Sequence, residues 1–316
     1  MPALRRWVLV ALAAAVSVAP CAWAEPARLA VVKSRALPAY DAAQQGFTSV
    51  VASQGQVSAK EYVLSGDPAV TRQVVAQIKS NPPDVVLTLG TEAAQQVGKA
   101  VGNIPVVFAV VVDPVQSDLL SNPSRPGGNM TGVSLVIPAA DTLDTLQRAA
   151  PRAKRIGIIY DPSNSQRSVK EMTDAARAAG MQVIARPVRS APEVPRAAEE
   201  LRGKIDALYA PVDGTVYSPQ SAKYVLLFAV RNAIPVAGFS SNLVAAGALL
   251  ALYPDYTDIG RQAGYIALRI LSGEAPGRIP VAAPRKSLLA LNLNVARTLG
   301  LTIPSALRNS ADKVYS

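Results

Sequence analysis

From Leu29 onward, short runs of β-branched and other apolar residues alternate with longer stretches in which apolar positions recur every three or four residues. The short runs predict buried strands and the longer stretches amphipathic helices, the pattern of βα units in a parallel sheet. Strands are expected at Leu29–Lys33, Lys60–Leu64, Val85–Leu89, Val106–Val111, Gly132–Val136, Arg155–Tyr160, Gln182–Ala185, Ala207–Ala210, Val236–Gly238, Leu249–Tyr253 and Leu288–Leu293. Helices are expected at Pro38–Ser53, Ala69–Ser80, Glu92–Val101, Ala139–Ala150, Gln166–Ala179, Ala191–Arg202, Pro219–Ala233, Asp258–Leu271 and Val295–Leu299. Asp67-Pro68 and Ser218-Pro219 read as helix starts, and Gly180 and Gly273 as stops.

The pattern repeats. Asp84-Val-Val-Leu leads through a helix to Ile104-Pro-Val, and Asp206-Ala-Leu-Tyr leads through a helix to Ile234-Pro-Val, at offsets of ~122 and ~130 residues. A strand opening at Arg28 has its counterpart at Arg155, ~127 residues on. Three elements in register predict an α/β protein of two similar doubly wound parallel-sheet lobes. Two such lobes enclose a crevice onto which the carboxyl ends of both sets of strands open, and hinge closure then buries a ligand.

The first residues read as a targeting segment instead of fold. Arg5 and Arg6 precede an apolar run, Trp7 to Ala19, and Ala22-Trp-Ala24 offers a small-x-small cleavage site. Residues 1–24 are therefore expected to be a signal peptide cut after Ala24, giving a periplasmic protein. Cys21 follows Pro20 instead of the small residue that a lipoprotein signal requires, so no lipid anchor at Cys21 is expected.

Removing the signal lowers the formal net charge from +10 to +8, because Arg5 and Arg6 leave and no acid does. The remaining basic residues are scattered and both tryptophans lie in the signal, which argues against a nucleic-acid partner. The chain contains no histidine. Histidine-based nucleophile systems and His-ligated metals are thereby excluded, and no phosphate-binding loop is present. No cofactor, no metal and no catalytic residue are expected, and the mature chain is expected to be a monomer.

Candidate chemistry collects at strand ends. Gly90-Thr91-Glu92 follows one strand, with Thr91 expected to cap a helix whose free N–H groups face the crevice. Asp113 ends the next strand, Asp161-Pro-Ser-Asn164-Ser165 follows the first strand of the second lobe, and Asp213 occupies the place there that Gly90–Thr91 hold in the first. Singly, each is an ordinary cap or turn residue. Jointly they suit a zwitterion, with its carboxylate on helix N–H groups and its ammonium on Asp213 or Asp113. Tyr40, Tyr160 and Tyr217 lie near the same ends and are equally suited to stacking on a ligand or to half-buried packing.

The chain resembles the bacterial ABC-transporter substrate-binding proteins related to tryptophan- and tyrosine-binding lipoproteins. The resemblance rests on Leu89-Gly-Thr-Glu-Ala-Ala-Gln95, Ile104-Pro-Val-Val-Phe-Ala109 with Asp113-Pro-Val115, and Arg125-Pro-Gly-Gly-Asn-Met-Thr-Gly-Val-Ser134. Gly247-Ala-Leu249, Asp255-Tyr256, Gly260-Arg-Gln-Ala-Gly264, Asn292-Leu293 and Leu299-Gly-Leu-Thr-Ile-Pro304 extend it. It implies a type I periplasmic-binding-protein fold with a three-crossover hinge and no catalysis. Residues 27–133 plus 256–281 would form one lobe, and residues 134–255 plus 282–316 the other. It also implies capture of a small ligand, an amino acid or a related zwitterion or anion, and delivery to ABC permease subunits.

By position, the resemblance implies ligand contacts at Gly90, Thr91, Asp113, Ser165 and Asp213, and Ser34, Tyr40 and Asn164 complete the candidate ligand-binding set. The chain departs from the family at Lys33–Asp41, at Val112 and at Ser240-Ser241, all at the cleft, so aromatic specificity is not carried over. A ligand-sensing module for a membrane receptor and a carboxylate-dependent enzyme on the same fold are the alternative readings.

Overall fold

Strand β1 (Ala27–Lys33) is apolar on both faces and lies inside a sheet, with Val31 and Val32 fully buried on opposite sides. It comes from a computed structural model that describes residues 25–316. The expected signal segment and Cys21 lie outside the described residues.

The chain continues through α1 (Pro38–Ala52), β2 (Val57–Val63), α2 (Pro68–Ser80), β3 (Val85–Leu89), a short α3 (Thr91–Ala93), β4 (Val106–Val111) and β5 (Met130–Ser134). These strands form one parallel sheet in the order β2-β1-β3-β4-β5. The second sheet takes up α4 (Ala139–Ala149), β6 (Arg155–Tyr160), α5 (Pro162–Ala178), β7 (Gln182–Pro187), α6 (Val194–Leu201), β8 (Ala207–Tyr209), α7 (Pro219–Arg231), β9 (Val236–Gly238), α8 (Ser241–Ala245) and β10 (Leu250–Pro254). Helix α9 (Tyr256–Leu271) then returns to the first sheet, and β11 (Ser287–Asn292), α10 (Leu293–Thr298), α11 (Ser305–Asn309) and β12 (Lys313–Tyr315) complete the second, in the order β12-β11-β10-β9-β8-β6-β7. The chain thus crosses between sheets three times, after β5, after β10 and before β11.

Alternate residues of each central strand feed separate cores on the two faces of its sheet. Val31 packs with Phe47 and Ile259, whereas Val32 packs with Ile78 and Phe108. Ile158 and Ile159 divide the second lobe in the same way. The sequence repeat has a physical counterpart. Asp84 accepts from the Arg28 backbone N–H at 2.7 Å, and Asp206 accepts from the Arg155 backbone N–H at 2.9 Å. In both lobes the acid before the third strand clamps the start of the first.

The return of α9 is held by close helix packing on α1. A Cβ built on Gly46 would lie 2.0 Å from the Thr257 carbonyl oxygen, and one on Gly260 would lie 1.9 Å from that of Ala43. Only hydrogen fits there, so the two backbones approach as larger residues would forbid.

Some elements depart from expectation. The predicted helix Glu92–Val101 is the single turn α3 followed by a π-turn over Ala94–Gly98. The second sheet is mixed, because β11 runs antiparallel to β10 and β12 follows β11. Helices α8 and α11 and strand β12 are too short to leave a periodic signal. Strand β2 begins at Val57 instead of Lys60 because it is an exposed edge with no apolar run to mark its start.

Candidate functional site

The carboxyl ends of β1 and β3 bring four predicted residues together. Ser34 follows β1, and its hydroxyl donates to the Leu89 carbonyl at 3.1 Å while accepting from the Ala93 N–H at 2.9 Å. Ser34 thereby satisfies the start of α3. The expectation that Thr91 caps this helix is corrected: Gly90 is the N-cap, Thr91 is the first helical residue, and no side chain of the cap residue makes the bond. Gly90 sits at φ 94°, in the left-handed region, and a Cβ there would lie 2.2 Å from the Tyr40 hydroxyl. Burial raises the pKa of Tyr40, with Arg35 and a hydrogen bond to Ser34 acting against it.

Strand β4 ends in a distortion. Its pairing with β5 shifts register between Phe108 and Val111, and Val110 between them adopts φ 58°. A β-branched residue in that region costs roughly 1–3 kcal/mol, a strain held here by the packing of a 7 % exposed side chain. Beyond it, Asp113 turns back to accept from the backbone N–H groups of Val115 at 2.9 Å and Gln116 at 3.0 Å.

On the facing lobe, Asp161 caps α5. It accepts from the Ser163 N–H at 2.9 Å, the Ser163 hydroxyl at 2.7 Å, the Thr215 hydroxyl at 2.8 Å and the Asn164 amide at 3.3 Å. Burial pushes its pKa up, but the hydrogen bonds from Ser163 and Thr215 outweigh this and hold it below the usual value. Asp213 lies behind it, 2 % exposed. It accepts from the Asp161 N–H and the Ser165 hydroxyl, both at 2.7 Å, and from the Thr215 and Val216 N–H groups at 3.0 and 3.1 Å. Asn164, Ser165 and Asp213 therefore belong to one network, in which Asp213 orders the start of α5 from within.

The lobes meet where these clusters face each other. Arg167 on α5 places Nη1 3.3 Å from Asp113 Oδ2, and the Gln116 amide donates to the Ser163 carbonyl at 3.3 Å. Next to these contacts, with Val112 and Ser168 in its wall, lies a cavity of about 180 Å³. Its walls include Leu135 of the first crossover, Tyr209, Phe239 and Tyr256. None of the eight predicted site residues lines it, but Val112 and Val212, which directly precede Asp113 and Asp213, both do.

The phenols here are strongly shifted. Burial, aided by Glu171, pushes Tyr209 up to about 12, and burial raises Tyr256, aided by Tyr40. Tyr217 packs edge-on against Phe239 at 5.8 Å, its hydroxyl is buried without a partner among the described residues, and its pKa rises well above the usual value through burial and the nearby Asp213. Tyr160 is 9 % exposed and belongs to the core beside Ile158.

Sequence reasoning missed Arg167, Glu171, Tyr209, Phe239 and Tyr256. Arg167 and Glu171 read as a solvated helical pair at i,i+4 spacing, and nothing local separates such a pair from one turned toward a cleft. Phe239 could have been found from its place directly after a buried strand.

A tyrosine-binding protein from Clostridioides difficile is 30% identical over 276 residues, 85% of this chain and 79% of that protein. The ligand-free, open structure of a substrate-binding protein with adhesive properties from Clostridium difficile superposes with a TM-score of 0.80 at 28% identity, covering 92% of this chain and 99% of that one. An ABC domain from Streptococcus pneumonia in complex with L-Trp gives 0.75 at 27% identity, covering 92% and 100%. A glucose-galactose binding protein from Geobacillus stearothermophilus, at 13% identity and a TM-score of 0.56, shares the fold alone. The two lobes and their three-crossover hinge are those of a type I periplasmic binding protein, a class whose members are extracellular or periplasmic. The family model described as ABC transporter substrate binding protein matches residues 28–315, and the chain belongs to that family.

Proposed function

We propose that this chain captures an amino acid between its lobes and releases it unchanged to the permease subunits of an ABC importer. The observation that carries this reading is the cavity between the strand ends. It is walled by residues of both lobes and of the first crossover, among them Val112 and Ser168, the neighbours of the interlobe salt-bridge pair Asp113 and Arg167. Residues 27–133 plus 256–281 and residues 134–255 plus 282–316 are the two moving bodies. The protein works as a monomer in the periplasm after cleavage behind Ala24, and no bond of the ligand is broken.

The tyrosine- and tryptophan-binding relatives support an amino acid as ligand, and the aromatic walls accept a large side chain. A thermal-shift screen of the twenty amino acids tests the reading. A ligand at 100 times its dissociation constant adds about 2.7 kcal/mol to stability, which displaces the unfolding midpoint measurably. A screen in which no amino acid moves the midpoint removes the proposal.

A further inference from the structure

Among the described residues, Glu171 is the only one lining the interlobe cavity that carries a formal charge. Ser168, one turn earlier on α5, lines the same wall, and Tyr209 stands close enough for the Glu171 charge to act on its hydroxyl. Oε1 of Glu171 accepts from Arg167 Nε at 3.0 Å, whereas Oε2 makes no hydrogen bond among the described residues. Arg167 is shared, since its Nη1 also reaches Asp113 on the facing lobe at 3.3 Å. No other Lys or Arg among the described residues pairs with either acid. One guanidinium thus faces two carboxylates, and the cluster keeps a single uncompensated negative charge at the edge of a largely apolar chamber.

The Glu171 side chain is 37% exposed toward the cleft, so its free oxygen stands open to solvent and to any cation that enters. Asp213, by contrast, already has four donors from the protein itself. We infer that Glu171 is the residue that receives the cationic amine of the ligand, through its free Oε2, while Arg167 holds Oε1 and ties that acceptor to Asp113. The inference rests on the amino-acid reading and deepens it, by assigning the ammonium to Glu171 instead of Asp213. Tyr209, whose pKa burial and the Glu171 charge push further up, presents a neutral hydroxyl in the same wall.

The test measures binding to wild type and to Glu171→Gln by calorimetry. The ligands are L-tyrosine and L-tryptophan, their decarboxylated amines tyramine and tryptamine, and their deaminated acids 3-(4-hydroxyphenyl)propanoate and 3-indolepropanoate. The unfolding midpoint of each protein without ligand separates a lost contact from a lost fold. The expected result is at least a tenfold loss of affinity for every amine-bearing ligand that binds wild type, with the deaminated acids unchanged or still too weak to detect and the midpoint preserved. Equal losses for amines and deaminated acids, or no loss for the amines, overturn the inference. So does a wild-type protein that binds none of the amine-bearing compounds. Binding of the amines and not the amino acids, abolished by Glu171→Gln, would keep this assignment and sink the amino-acid reading.

Discussion

Arg167 Nη1 lies 3.3 Å from Asp113 Oδ2, and the bond joins a helix of one lobe to a strand end of the other. Half of the Arg167 side chain is exposed while Asp113 is largely buried, so the pair is worth about 1 kcal/mol and less as salt rises. That is enough to bias a hinge whose two states differ by a few kcal/mol. Arg167→Met is expected to enlarge the radius of gyration of the ligand-free protein in small-angle scattering. The same substitution in an Asp113→Asn background should add little, because the pair is already broken. Equal expansion in both backgrounds would show that Arg167 acts without Asp113.

Asp213 organises the start of α5 from inside the second lobe. Its Oδ2 takes the Asp161 N–H and the Ser165 hydroxyl, both at 2.7 Å. Hydrogen bonds to a charged group contribute about 1.5–3 kcal/mol each, and stranded donors add a desolvation cost. Asp213→Ala is expected to lower unfolding free energy by roughly 3 kcal/mol or more in urea titration. A loss below about 1 kcal/mol would mean that water replaces the carboxylate without strain.

The α1–α9 crossing depends on missing side chains. A Cβ at Gly260 would meet the Ala43 carbonyl oxygen at 1.9 Å, and main chain yields less readily than a side chain. Gly260→Ala should cost about 3 kcal/mol and displace α9, which carries Tyr256 into the cavity. Ligand affinity should fall together with stability. Gly180→Ala, a positive-φ position with open space around the added methyl, should cost only roughly 1–2 kcal/mol, the backbone strain alone.

Tyr209 links stability to alkaline pH. Its folded pKa is pushed up to about 12, by burial first and the Glu171 charge second, against an unfolded value of 10.0. The unfolded chain therefore releases its proton first as pH rises. Stability is full below pH 10 and declines between about 10 and 12, by roughly 2–3 kcal/mol for this group. Tyr209→Phe should flatten that part of the pH–stability curve, read from urea midpoints at pH 9, 10 and 11. An unchanged slope would show that Tyr209 titrates normally and that the other buried tyrosines account for the decline.

The helix starts at Asp67-Pro68 and Ser218-Pro219 were legible because both involve only neighbours in the chain: Asp67 and Ser218 each accept from a backbone N–H of the first turn. The two-lobe plan was legible for a related reason. Arg28 with Asp84 and Arg155 with Asp206 make the same clamp at the same place in each lobe, so the duplication surfaced as a spacing. Strand-end residues such as Gly90, Asp113, Asp161 and Asp213 also stood out, because the edge of a parallel sheet is marked wherever an apolar run stops.

Partnership across the fold could not be read this way. Ser34 caps α3 from 59 positions away, and Asp213 serves Asp161 from 52 away. Whether Glu171 meets solvent or a cavity depends on which way α5 turns once the second lobe has folded and the chain has crossed back. Local hydrogen bonding and the alternation of apolar residues determine elements and their order, because they act between near neighbours. Distances between side chains of different lobes were decided only by the crossovers, which set how the two sheets face each other.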